Sequence, residues 1–170
     1  LTEPGLILGI HEQYAQAGAQ VLETNSFGAN RIKLRAYGLA EKVADINRAA
    51  ARLARQAAGT TLYVAGSVGP CTQGGQVITG RDMAEVEAAF REQMEALTEE
   101  GVDLLLLETF SDLKELQLAA RVARERGVPV LASFAVDDDG ETAAGTPAEK
   151  MAAALEKDPH VDVIGLNCGT

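Results

Sequence analysis

The chain has 170 residues, 46% of them hydrophobic, with 25 acidic against 15 basic side chains and a formal charge of −10, a size and composition suited to one domain with its own core. No basic cluster is dense enough to follow a phosphate backbone, which argues against nucleic acid, and no apolar run reaches the roughly 20 residues of a membrane-spanning helix. Leu1-Thr2-Glu3-Pro4 is unlike a signal peptide, so a cytoplasmic protein is expected, and the start at Leu1 without an initiator Met predicts material upstream. The two cysteines, Cys71 and Cys168, lie far apart, and free thiols are expected rather than a disulfide.

In chain order, a first helix is predicted from Thr2, as N-cap before Glu3 and Pro4, to about Ala17, with Gly18 ending it. An apolar run from Ala19 to Asn25 follows. Asn30 to about Ala57 reads as helical, broken near Gly38, with Leu39, Val43, Ile46 and Leu53 as an inward stripe. Thr61 to Gly66 is the second apolar run. Asp82 with Glu85 forms a capping-box pattern for a helix whose Val86, Phe90 and Leu97 share a face. Val102 to Glu108 is the third run, and Asp112 with Glu115 repeats the capping pattern before Leu113, Leu116 and Ala120. After the fourth run, Val128 to Phe134, Thr146-Pro147-Ala148-Glu149 combines an N-cap, a first-position proline and a glutamate three residues after the cap. The fifth run, Val161 to Cys168, ends in a thiol, and the chain stops at Thr170.

Apolar runs alternating with amphipathic helices imply βαβ units and a parallel sheet covered on both faces. The first predicted strand is followed by Thr24-Asn25-Ser26-Phe27-Gly28-Ala29-Asn30 rather than G-x-G-x-x-G, so a (β/α)8 TIM barrel is preferred over a doubly wound nucleotide-binding sheet. A complete barrel takes about 250 residues. Residues 1–170 are therefore expected to form one partial barrel domain of about five strands, lacking the first strand and the last strands.

Barrel chemistry sits at the carboxyl ends of strands. Those positions hold Glu23-Thr24-Asn25, Gly66-Ser67-Val68-Gly69-Pro70-Cys71, Glu108-Thr109, Ser133-Phe134 and Asn167-Cys168. Buried polar groups left unpaired cost about 1 to 3 kcal/mol each, and a polar ligand would partner some of them. Glu108 emerges from Leu104-Leu105-Leu106-Leu107 and would either receive a substrate ammonium or pair with a neighbouring Lys or Arg. Thr24, Asn25 and Ser67 would either touch ligand or satisfy loop backbone. His11 is expected on the outer ring of helices and His160 at the opposite end of the last strand, about 17 to 20 Å from Cys168, too far to share a metal. Cys71 is at the correct end but three strands away, and is expected to be incidental.

These stretches together resemble the homocysteine S-methyltransferase family of zinc-dependent barrels. The matching pieces are Glu23-Thr24-Asn25-Ser26-Phe27-Gly28-Ala29-Asn30, Gly66-Ser67-Val68-Gly69-Pro70, Leu105-Leu106-Leu107-Glu108-Thr109-Phe110 and Ile164-Gly165-Leu166-Asn167-Cys168. The resemblance implies a fragment of a domain that transfers a methyl group to zinc-bound homocysteine to form methionine. It implies that Cys168 matches the first of three zinc thiolates, that the adjacent cysteine pair supplying the other two is absent here, and that Glu108 holds the homocysteine amino group. Thr24, Asn25, Ser67 and Asn167 are the accompanying candidates for substrate binding. The aspartate-glycine motif of the family's first strand is also absent.

A free thiol titrates near about 8.5, so zinc would hold homocysteine sulfur as the nucleophilic thiolate. The methyl donor is not legible; methylcobalamin or methyltetrahydrofolate delivered through other domains is implied, with S-methylmethionine and betaine as alternatives. Other domains of the same polypeptide or a homo-oligomer are the expected partners. Two further readings stand beside this one: a shortened barrel serving as an amino-acid-binding or assembly module, and a metal-free enzyme with Cys168 as direct nucleophile, the latter disfavoured for want of a nearby base.

Overall fold

The computed structural model describes residues 2–73, 76–80 and 82–169; Leu1 and Thr170, on which the expectations about the two ends fall, lie outside them. The described residues form α1 (Pro4–Gln16), β1 (Val21–Glu23), α2 (Arg31–Arg35), a 3₁₀ turn (Ala40–Lys42), α3 (Val43–Ala58), β2 (Tyr63–Val68), α4 (Met83–Glu99), β3 (Leu104–Phe110), α5 (Leu113–Arg124), β4 (Val130–Phe134), α6 (Ala148–Leu155) and β5 (Val163–Leu166). All five expected strands are present; β1, β4 and β5 are shorter than their apolar runs, while β2 and β3 keep the expected length but lie two residues further along the chain.

Every neighbouring pair of strands is parallel, and the spatial order β1-β2-β3-β4-β5 is the chain order. A doubly wound sheet reverses its strand order at a switch point, and this one does not. Successive right-handed crossovers running in one direction place their helices on one side of the sheet, which is the barrel arrangement.

Strand pleat then separates two faces. Val64, Val68, Leu105, Leu107, Val130, Ala132 and Phe134 belong to the same buried cluster as Phe90, Met94 and Leu97 of α4 and Leu116, Ala120 and Ala123 of α5. The register makes Ser67 and Leu106 neighbours on the other face, and likewise Leu106 and Leu131. That face carries the polar strand ends. The outermost strands keep apolar side chains in the open, including Val21 on β1 and Val163, Ile164 and Leu166 on β5.

Several local expectations are revised. Gly38, at φ 69, breaks the long helical region as expected, giving α2 and α3. The inward stripe of α3 is Val43, Ala50, Ala51, Ala54 and Ala58, while Leu39 is exposed and Ile46 and Leu53 are only half-buried. Alanines let α3 lie close against both α1 and α4, a packing requirement that hydrophobicity alone does not rank. Glu3, not Thr2, precedes α1, and Pro147, not Thr146, precedes α6; neither helix has a side-chain cap. Asp82 accepts from the Thr79 hydroxyl at 2.6 Å instead of capping α4.

Asp112 does cap α5, accepting from Lys114 N at 3.2 Å, but Glu115 turns away from the cap. It accepts instead from Cys71 N at 2.6 Å, Thr72 N at 3.2 Å and the Thr72 hydroxyl. Asp112 also accepts from Ile78 N at 2.9 Å. The loop after β2 has backbone donors buried away from water, and these two carboxylates are the acceptors that satisfy them.

Candidate functional site

The site is built around an irregularity in β3. The register of β3 against β4 shifts between Leu107 and Phe110, so Glu108 and Thr109 lie in a bulge, where a strand commonly re-aims a side chain. Thr109 has φ 62, left-handed backbone that costs a threonine about 1 to 3 kcal/mol. Asn167 holds it there. Its Oδ1 accepts from Thr109 N at 3.0 Å and from Ser133 Oγ at 2.7 Å, and its Nδ2 donates to Thr109 Oγ1 at 2.8 Å. One carboxamide thereby ties the carboxyl ends of β3, β4 and β5 together.

Glu108 is half-buried and pairs with no Lys or Arg among the described residues. Its Oε1 accepts from Ser67 Oγ at 2.5 Å, and Asn167 Nδ2 stands 3.4 Å from Oε2. The carboxylate borders a cavity of about 590 Å³ whose lining includes Glu23, Asn25, Ser67 and His11 and, among the described residues, no Lys or Arg. Burial first, then the like charge of Glu108, raise the Glu23 carboxyl above its ordinary range. Two carboxyls sharing a cavity without a Lys or Arg favour entry of a cation.

The accompanying polar residues divide by what their hydrogen bonds leave free. Ser26 Oγ donates to Ser67 O at 2.7 Å, so in the 2.6 Å contact between the two hydroxyls Thr24 is the donor. Thr24 Oγ1 also accepts from Ser67 N at 2.9 Å. The Thr24 hydroxyl is thus committed to positioning Ser67, the backbone-satisfying alternative that the sequence left open. Asn25 is exposed and opens onto the cavity. Phe27 lies over the loop after β2, and a Cβ on Gly69 would fall under 3.0 Å from three of its ring carbons. Gly69→Ala is therefore expected to displace Phe27 and cost about 1 to 3 kcal/mol, with Phe27→Ala relieving much of that cost in the double variant; denaturant unfolding of the four proteins checks it.

Cys168 is exposed, at φ 50, with Sγ 3.5 Å from Asn167 Nδ2. It lines a second cavity of about 470 Å³ with Phe27, Lys33, Thr72, Thr109 and Asp137. Asn167 links Cys168 to Glu108, so both stand at the same rim. Among the described residues, no three His, Cys, Asp or Glu side chains gather to hold a metal ion. Zinc takes three or four protein ligands, and one thiol does not make that set.

Cys71 is buried, and burial together with the charge of Glu115 pushes its thiol far above the ordinary range, which makes it inert. His160 lies before β5, its Nδ1 2.8 Å from Asp158 Oδ1. His11, expected on the outer ring, is buried, lines the Glu108 cavity and has no partner for Nε2 among the described residues. Burial lowers its pKa. The sequence offered no signal for that position, because nothing along a helix states how far its face wraps round a sheet edge.

The homocysteine S-methyltransferase family model matches residues 1–170. The chain belongs to that family. It is 32% identical to methionine synthase of Mycobacterium tuberculosis, covering 99% of this chain and 15% of that protein. It is 33% identical to betaine–homocysteine S-methyltransferase 1 of Xenopus tropicalis, covering 97% of this chain and 41% of that one. The metallated form of the homocysteine methyltransferase MmuM from Escherichia coli superposes with a TM-score of 0.84 at 31% identity, over 97% of this chain and 63% of that one. The chain thus spans less than two thirds of each of these relatives. Its five parallel strands are a partial TIM barrel of homocysteine S-methyltransferase type.

Proposed function

We propose that residues 1–170 form one partial barrel domain of a methyltransferase that methylates the sulfur of homocysteine to give methionine. The observation that carries the reading is Glu108: a carboxylate in a strand bulge, oriented by neutral donors and without a cationic partner among the described residues, on the same rim as an exposed thiol. In this reading Glu108 receives the substrate ammonium. Ser67 and Asn167 fix the carboxylate, Asn25 borders the bound amino acid, and Thr24 supports Ser67. The homocysteine sulfur gains the methyl group as the donor's bond to it breaks.

Cys168 is proposed as one zinc thiolate. The described residues do not complete a zinc site, and the 170 residues alone are expected to be inactive. Methylcobalamin or methyltetrahydrofolate carried by other domains is the proposed donor, and other domains or further copies of the chain the proposed partners. A cytoplasmic location is proposed; no described helix is long and apolar enough to cross a membrane.

The test uses the full-length protein that contains this segment. Homocysteine methylation should be measurable, and Cys168→Ser should reduce bound zinc, read by atomic emission, to background. Full zinc occupancy in that variant would remove Cys168 from the ligand set, and absence of methionine formation with every donor named above would remove the activity.

A further inference from the structure

We propose that Lys33 is a ligand-binding residue of the mouth, pairing its ammonium with a carboxylate that enters the cavity bordered by Cys168. The inference rests on the reading of the mouth as an amino-acid site and adds a recognition element for the opposite charge. Glu108 accounts for an ammonium. An amino acid, and the carboxylate-bearing methyl donors as well, also bring an anion, which must find a cation or amide donors on leaving water.

Among the described residues, Lys33 is the sole Lys or Arg lining the two mouth cavities. Its side chain is half-buried, with Nζ 5.1 Å from the centroid of the Phe27 ring, the residue that borders both cavities. The ring supports the ammonium without neutralising it. Lys33 forms no salt bridge among the described residues. Glu115, whose charge acts on Lys33, accepts from Cys71 N, Thr72 N and the Thr72 hydroxyl, and Asp137, which lines the same cavity as Lys33, accepts through Oδ1 from Asp139 N at 3.0 Å and Glu141 N at 3.1 Å. Burial lowers the Lys33 pKa, with Cys71 and Glu115 acting the other way. Thr72, Thr109 and Ser111 also line this cavity.

The carboxylate would belong either to homocysteine or to the methyl donor, and the ligands separate the two. Calorimetric titration of the full-length protein would compare homocysteine with 3-aminopropane-1-thiol, the same thiol and amine without the carboxylate, and would include S-methylmethionine and betaine. Lys33→Met keeps an apolar stem against Phe27, and Asn30 bonds the backbone amide of residue 33, so the fold should persist. The variant should weaken a carboxylate-bearing ligand by about 10- to 100-fold, leave 3-aminopropane-1-thiol within about twofold, and be largely restored by Lys33→Arg. Loss for homocysteine assigns the acceptor's carboxylate, and loss for S-methylmethionine or betaine assigns the donor's.

If no carboxylate-bearing ligand distinguishes Lys33→Met from the parent, the inference is overturned. Glu108→Gln is titrated alongside. Weakened homocysteine binding there, with no effect at Lys33, discards the Lys33 assignment alone, whereas no effect at either position discards the amino-acid site itself.

Discussion

Glu108→Gln is expected to weaken homocysteine binding by about 10- to 100-fold in the full-length protein, the range set by one charge-assisted hydrogen bond. Glutamine retains the shape and an oxygen able to accept from Ser67, so the bulge and its Asn167 clamp should survive. What disappears is the negative charge proposed to receive the substrate ammonium. The measurement is calorimetric, with butane-1-thiol as the control that lacks an ammonium and should bind parent and variant alike. Equal loss for both thiols would mean that the substitution had disturbed the pocket rather than removed a charge contact. No loss for homocysteine would mean that Glu23, the second carboxyl in the cavity, or another group receives the ammonium.

The second large effect is on stability. Glu115→Ala should destabilise the protein by about 3 kcal/mol or more, because it strands the buried amide of Cys71 along with the Thr72 donors that now share one carboxylate. Glu115→Gln keeps an acceptor and should cost far less. The pair also separates charge from hydrogen bonding through pH. Burial outweighs the hydrogen bonds and raises the Glu115 pKa above its unfolded value of 4.5. The folded state therefore holds the proton more tightly than the unfolded state, and stability declines as pH rises from the unfolded pKa through the raised one.

Parent and Glu115→Gln should thus be closest in stability at acid pH. The parent should lose ground to the glutamine variant above the raised pKa, as read by urea unfolding from pH 4 to 8 at about half-unit steps. The reverse slope would show that hydrogen bonding to the ionised form, not burial, dominates at this position. Either result leaves the alanine prediction to be judged separately.

What could be read from the residues follows from local rules. Five apolar runs separated by helical patterns are the one-dimensional trace of parallel strands buried on both faces, so strand number and fold class were legible. Polar residues closing those runs marked the rim, and Glu108 and Cys168 stood out because each ends a hydrophobic stretch. Charge and cavity sharing were not legible. Glu23 and Glu108 lie 85 positions apart, by subtraction of their numbers in the chain, and only the closing of β1 and β3 about β2 brings their carboxyls to one cavity.

The same limit governs the caps and the clamp. Asp112 and Glu115 satisfy the sequence pattern of a capping box, yet Glu115 is taken by amides 43 and 44 positions away. A local motif states which bonds a residue is able to make, and burial decides which donors most need it. By itself, then, the order of residues determined a parallel α/β barrel segment with a thiol and a carboxylate at its strand ends. The tertiary structure decided that Asn167 joins the two, that Thr24 is spent on Ser67, and that Lys33 lines the same cavity as the thiol, because only folding places groups distant in the chain within reach of one another.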